Sequence, residues 1–203
     1  MDFYNKYILP KVLNFMMKNA EMEKQRVDVV SQASGLVLEI GFGSGLNLPY
    51  YKNIIKLYAL DPSRESYDLA REQAEQAPFK VEYIHASAEE VPLASHTIDF
   101  VVSTWNLCSI PHPDIALKEI FRILKPGGRF IFIEHGKSPK GAVAKIQKLL
   151  TPISKSLLGG CHLDREIDRL IGSVGFEIEK LERFQQKTRW LAFMYRGVAV
   201  AKK

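Results

Sequence analysis

The sequence is poor in cysteine, has no long apolar run and contains no Gly-x-Gly-x-x-Gly. Its 203 residues include two cysteines, Cys108 and Cys161. Two thiols cannot build a disulfide framework, and they fit a reduced, cytoplasmic setting. No uninterrupted apolar stretch reaches about 18 residues, so no membrane-spanning helix is expected. The first residues do not read as a signal peptide, because Lys6, Pro10 and Lys11 break their apolar character. No internal repeat and no low-complexity linker divides the chain. It is therefore expected to form a single domain over residues 1–203, with capping helices over 1–34 and a lid-like insertion over 140–165.

Charge is unevenly placed. Residues 1–124 carry 12 basic and 16 acidic side chains, and residues 125–203 carry 16 and 7, giving −4 against +9 within an overall +5. A basic C-terminal third could meet an anionic surface, although a solvated basic face is the plainer reading. Residues 140–158 are basic and amphipathic. Val143, Ile146, Leu150, Ile153 and Leu157 share one helical face, with Lys140, Lys145, Lys148 and Lys155 elsewhere, and Pro152 should kink or divide the segment. Such a stretch is either a lid packed over a sheet or a face that makes peripheral membrane contact.

The stretch that organises the chain is Leu36-Val37-Leu38-Glu39-Ile40-Gly41-Phe42-Gly43-Ser44-Gly45. It reads as a strand buried on both faces that runs into a glycine turn. Alternate glycines let the backbone turn tightly and approach a ligand, and a following helix would point its N–H groups at that ligand. A dinucleotide fingerprint fails, since its third glycine would fall on Leu46 or Leu48. Glu39 would repel a pyrophosphate but attract a cation. S-adenosylmethionine (SAM) carries a sulfonium and an ammonium and no phosphate, so this order of acid and glycines suits it. Asp61 stands 22 residues beyond Glu39, at the end of the next apolar run. It can accept both hydroxyl protons of a ribose, or simply make an Asp-Pro turn with Pro62. Ser63 is placed to cap the next helix.

On Glu39 to Gly45 the chain resembles the class I SAM-dependent methyltransferases, of the methyltransferase type 11 kind. That resemblance implies an α/β, three-layer Rossmann-like fold. Its sheet would be seven-stranded and mostly parallel, with an antiparallel C-terminal strand. It also implies SAM as cofactor, bound by Glu39, Gly41, Gly43, Gly45, Asp61, Pro62, Ser63, Ser87, Ala88, Glu89 and Thr104. Ser87 stands where family members commonly carry Asp against the adenine. The loop Thr104-Trp105-Asn106-Leu107-Cys108-Ser109-Ile110 lies, in the family, between donor methyl and acceptor. It lacks the Asn-Pro-Pro-Tyr of DNA adenine and protein glutamine N-methylation and the Pro-Cys pair of cytosine C5 methylation. Trp105, Cys108 and Tyr7 are therefore candidates for contacting a small acceptor, with Tyr4 or Tyr7 near the donor, and no nucleic-acid partner is expected. His135 and His162 are the candidate bases. Cys161 and His162 are adjacent, and no further Cys/His pair has ligand spacing, so no metal is expected.

Four segments narrow the likeness: Leu107 to Ile110, Lys125-Pro126-Gly127-Gly128, Glu134-His135, and Gly160-Cys161-His162-Leu163-x-Arg165-Glu166. Together they look most like the methyltransferase-like alkyl-thiol S-methyltransferases and their bacterial relatives. More loosely, they are similar to quinone C-methyltransferases and bacterial phospholipid N-methyltransferases. The implied activity is methyl transfer to a small, apolar acceptor: a thiol, a quinol or a lipid head group. The alternatives are a non-catalytic SAM-binding partner protein and an RNA or DNA methyltransferase.

Overall fold

A computed structural model describes residues 8–186 and 190–202. Its element order is α1 (Leu9–Met17), α2 (Ala20–Val30), β1 (Ser34–Ile40), β2 (Asn53–Leu60), α3 (Arg64–Glu75), β3 (Lys80–Ile84) and β4 (Ile98–Thr104). Then follow α4 (Pro113–Ile123), β5 (Leu124–Gly136), α5 (Gly141–Leu157), α6 (Ile167–Ser173), β6 (Glu177–Gln185) and β7 (Phe193–Val200). The strands make one sheet in the order β3-β2-β1-β4-β5-β7-β6. β1 to β5 pair in parallel, and β7 runs antiparallel to both β5 and β6. The expected sheet is thus observed.

Each face of the sheet carries its own apolar layer. On one side Ala116, Leu117 and Ile120 of α4 and Ile167 and Ile171 of α6 pack on Leu38, Val101 and Phe130. On the other, Val29 and Val30 of α2 and Ala70 and Ala74 of α3 pack on Val37, Leu57 and Val102. Alternation along β1 explains this split, since Val37 and Leu38 must point to opposite faces. Strand order reverses direction between β1 and β4, so the crevice at their carboxyl ends is the natural ligand site of such a sheet.

Local structure departs from expectation after the glycine turn and at Pro152. No helix follows the glycine turn; a single 3-10 turn, Leu48–Tyr50, leads straight to β2, because Pro49 and the short span to Asn53 leave no room for more. α5 runs unbroken through Pro152. α6 begins at Ile167 without a side-chain cap, and the carboxylate of Asp164, just before it, accepts from Thr151 Oγ1 at 3.2 Å. β5 starts at Leu124, and Lys125 to Gly128 form an irregularity within the β4–β5 pairing.

α5 also turns its polar side inward. Gln147, Thr151 and Ser154 are buried, whereas Ile146, Leu149, Ile153 and Leu157 are exposed. Gln147 explains the orientation. Its Oε1 accepts from Ser138 N at 2.8 Å, and its Nε2 donates to Gly136 O at 3.1 Å and to Leu191 O at 2.9 Å. One amide thereby satisfies three backbone groups at the carboxyl end of β5. No helix among the described residues is long and apolar enough to cross a membrane.

Candidate functional site

A cavity of about 270 Å³ opens at the carboxyl ends of β1 and β4. α1 roofs one side with Pro10, Leu13, Asn14, Met16 and Met17, and the chain after α5 adds Leu158, Gly159 and Cys161.

At its floor lies Glu39, buried on β1. Its Oε2 accepts from the Tyr51 hydroxyl at 2.7 Å and its Oε1 from Asn47 Nδ2 at 2.9 Å. Burial pushes this carboxyl up to about 7, against the opposing pull of those two hydrogen bonds and the charge of Arg26. Asn47 Nδ2 also reaches Thr104 Oγ1 at 3.0 Å, while its Oδ1 is buried with no partner. A carboxylate beside an orphaned amide oxygen is a site short of donors, of the kind that a ligand ammonium would supply.

Gly41, Gly43 and Gly45 all have positive φ, at 67°, 57° and 73°. At Gly41 a Cβ would meet the Asn106 side chain at 2.2 Å, while at Gly43 the nearest atom is 3.8 Å away. Gly41 thus lets the turn pass the β4 loop, and Gly43 leaves space. Gly43 N donates to Asp61 Oδ2 at 2.8 Å and Ser63 N to Oδ1 at 2.8 Å. Asp61 is buried, and desolvation raises its pKa. Each oxygen retains acceptor capacity toward the cavity that Asp61 lines. Tyr83 steadies this corner by donating to Asp61 O and Ser63 O, at 2.9 and 2.7 Å. Ser63 caps α3, accepting from Ser66 N at 3.1 Å.

The β4 loop forms another wall of the cavity, against the glycine turn. Trp105 has φ 53° and lines the cavity, with the Arg26 guanidinium 5.0 Å from its ring centre. The loop is held by Glu134, fully buried on β5. Its carboxylate accepts from Ser103 Oγ at 2.5 Å, Asn106 N at 3.2 Å and Cys108 N at 3.3 Å. Cys108, His135 and Cys161 meet here. The two Sγ atoms are 3.6 Å apart, and Cys161 Sγ is 3.8 Å from His135 Nδ1. Contact with Cys108 and then with His135 lowers the Cys161 pKa, while the same thiol pair and burial raise Cys108.

Of the residues anticipated from sequence, Glu39, Gly41, Gly43, Asp61, Thr104, Trp105, Cys108 and His135 line the cavity. Gly45, Pro62, Ser63 and His162 do not. The His162 main-chain N–H donates to Cys108 O at 2.9 Å, and burial lowers its imidazole pKa. Ser87, Ala88 and Glu89 also lie off the lining: Ser87 Oγ accepts from Glu89 N, Ala88 is buried, and Glu89 accepts from His112 N. Tyr4 and Tyr7 fall outside the described residues. Sequence reasoning missed Arg26, Asn47, Asn106 and Cys161 as cavity residues. Asn47 carried a usable signal, being polar in an otherwise apolar stretch just past the glycines.

A family model described as "Methyltransferase domain" matches residues 38–132. Thiol S-methyltransferase TMT1B of Rattus norvegicus is 34% identical over 184 residues, spanning 84% of this chain and 75% of that protein. Phosphatidylethanolamine N-methyltransferase of Cereibacter sphaeroides is 31% identical over 152 residues, spanning 73% of each. A solved Haemonchus contortus N-methyltransferase, in complex with S-adenosylhomocysteine, superposes with a TM-score of 0.75 at 16% identity, covering 100% of this chain and 60% of that one.

Proposed function

This chain belongs to the class I SAM-dependent methyltransferases, and from that premise we propose that it methylates the sulfur of a small, apolar thiol. The observation that carries this reading is the division of the cavity. The charged side chains lining it, among the described residues, are Arg26, Glu39 and Asp61. These belong to the donor. Glu39 and Asn47 take its ammonium, Arg26 its carboxylate and Asp61 its ribose hydroxyls, with the nucleoside extending toward Ser66 and Leu69. Much of the remaining lining is apolar or soft, with Leu13, Met16, Met17, Leu158, Cys108 and Cys161, and the polar side chains among it, such as Asn14, Thr104, Asn106 and Ser109, carry no charge. Such a wall suits an alkyl thiol better than a phosphorylated head group, which would bury its charge unpaired. The thiol S-methyltransferase likeness supports the same reading.

SAM carries the activated methyl group. The protein's part is alignment and exclusion of water. The Gly41 to Gly45 turn fixes the donor's methionine end, the loop held by Glu134 presents Trp105 and Cys108, and α1 with the chain after α5 forms a lid. His135 stands where it can take the acceptor's proton.

The test offers SAM labelled on its methyl group together with, in turn, short alkyl thiols, phosphatidylethanolamine vesicles and a quinol. Label in the thioether is expected. Label confined to lipid or quinol would overturn the thiol assignment. SAM binding without turnover on any of them would favour a binding-only protein.

A further inference from the structure

We propose that Cys108, His135 and Cys161 form a zinc site whose open position takes the acceptor thiol. The acceptor half rests on the thiol reading above; the metal half does not.

The three residues come from three elements. Cys108 sits on the loop after β4, His135 near the end of β5, and Cys161 in the turn after α5. The fold brings one donor atom of each within 4.8 Å of the others. Tetrahedral zinc with Zn–S near 2.3 Å and Zn–N near 2.0–2.1 Å sets its ligand atoms about 3.6–3.8 Å apart. Here the Sγ–Sγ separation is 3.6 Å, and Cys161 Sγ lies 3.8 Å from His135 Nδ1. Two of the tetrahedron's edges are already built. Two thiolates and an imidazole select zinc over magnesium or calcium, and their charge neutralises the ion.

The supports of this cluster are specific. Glu134 accepts from Cys108 N, and His162 N donates to Cys108 O. Gly160, at φ 88°, lets the Cys161 turn approach the neighbouring loop, since a Cβ there would meet Ser109 O at 2.9 Å. His135 Nε2 is buried with no hydrogen bond, so the imidazole is not committed elsewhere. All three side chains line the cavity, which leaves one side of the cluster open to a substrate. A zinc ion with three protein ligands and an open fourth position is the catalytic type. A disulfide would instead need the sulfurs to close to about 2.05 Å and an oxidant to take two electrons.

With His135 engaged as a ligand in place of the base role given above, a thiol that binds the ion gives its proton to solvent and stays as thiolate. A sulfur lone pair then forms the new S–CH3 bond as the methyl–sulfonium bond breaks, and that electron pair remains on the sulfur of S-adenosylhomocysteine. The thioether is neutral, a weaker ligand, and leaves.

The experiment uses the full chain, reduced and stripped with a chelator, then titrated with Co2+ alone. One Co2+ per chain with a thiolate-to-cobalt absorption band is expected. Cys161→Ser and Cys108→Ser should each lose that band while SAM affinity, measured by calorimetry, stays unchanged. Adding a short alkyl thiol should shift the band. Failure to bind Co2+ or Zn2+, equal binding by Cys161→Ser, or a Cys108–Cys161 disulfide formed in the presence of excess Zn2+ would each overturn the metal site. A band that thiol leaves unmoved, in a protein that still converts thiol to thioether, overturns the acceptor half. Absence of labelled thioether from a metal-loaded protein whose band thiol leaves unmoved also overturns that half, and it removes the thiol reading separately.

Discussion

The Tyr51 hydroxyl donates to the Glu39 carboxylate at 2.7 Å, and both side chains are buried beneath the glycine turn. The contact favours ionised Glu39, yet burial outweighs it and leaves the carboxyl titrating at about 7. In the unbound protein Glu39 therefore holds its proton below that pH. A cationic donor favours the carboxylate, so binding below about 7 must expel the proton. SAM affinity is expected to fall by up to about tenfold per pH unit below 7 and to level off above it. Calorimetry in buffers from about pH 6 to 8 checks this through the proton released. An affinity flat across that range would remove Glu39 from the donor site. The sign for stability is the reverse. With its folded pKa raised above the ordinary carboxylate range, Glu39 contributes stability at acid pH that is lost as pH rises through about 7. SAM should thus protect the fold most on the alkaline side.

Gly41→Ala places a methyl group 2.2 Å from the Asn106 side chain at a residue whose φ is 67°. Both the strain and the clash act on the donor loop, and the positive φ alone costs about 1–2 kcal/mol. The variant should melt lower and lose most of its SAM affinity. Gly43→Ala has similar strain but open space, so it should retain more of its stability. Equal melting temperatures for the two would refute the steric account.

Asp61→Asn keeps the shape of the corner but exchanges one acceptor oxygen for a donor amide. It would face Gly43 N or Ser63 N with an N–H, and the ribose would lose its charged acceptor. SAM affinity should drop by about tenfold or more, in line with the 1.5–3 kcal/mol of a hydrogen bond to a charged group. Unchanged binding by calorimetry would move the ribose elsewhere.

Much of this was legible in the sequence, and what escaped has a physical reason. β1 is buried on both faces, so it shows as an apolar run, and Glu39 stands out within it. Ser63 caps α3 through a local contact, which sequence spacing can anticipate. α5 could not be read that way. Its apolar stripe at Ile146, Ile153 and Leu157 invites burial, but the fold spends the inward face on Gln147, whose partners lie at Gly136, Ser138 and Leu191. Cys108, His135 and Cys161 were equally hidden. Ligand spacing along the chain reveals local metal sites, whereas these three meet only because β4 pairs with β5 and the turn after α5 folds back over them.

Glu134→Gln tests how the acceptor loop is held. The fully buried carboxylate accepts from Ser103 Oγ, Asn106 N and Cys108 N. Desolvation raises its pKa, and those donors oppose it. An amide offers one oxygen in place of two and turns an N–H toward a donor. The loss should be about 1–3 kcal/mol, seen as a melting temperature lower by roughly 2–4 °C per kcal/mol for a chain of this size. A positioning role further predicts that kcat falls more than SAM affinity does. Equal loss of both would mean that the carboxylate serves only the fold.

The outward face of α5 leads to a prediction about where the acceptor comes from. Leu149, Ile153 and Leu157 are 75%, 56% and 53% exposed, and Phe15 on α1 is 82% exposed. Helix α1 and the chain just past α5 supply the apolar wall of the cavity. Lys145, Lys148 and Lys155 are exposed on the same helix. Three exposed apolar side chains on a helix that also exposes three lysines, with Phe15 exposed on α1, suit the head-group boundary of an anionic bilayer better than water; there each buried side chain contributes about 1.5–3 kcal/mol and each lysine about 1. The protein should therefore sediment with vesicles containing phosphatidylserine, less with neutral phosphatidylcholine vesicles, and less again at high salt. Phe15→Ser combined with Ile153→Ser should abolish vesicle binding while SAM affinity holds. If the double variant still sediments, the contact lies elsewhere. If the unmodified protein never sediments, apolar thiols must reach the cavity from solution, and activity should then be indifferent to vesicles.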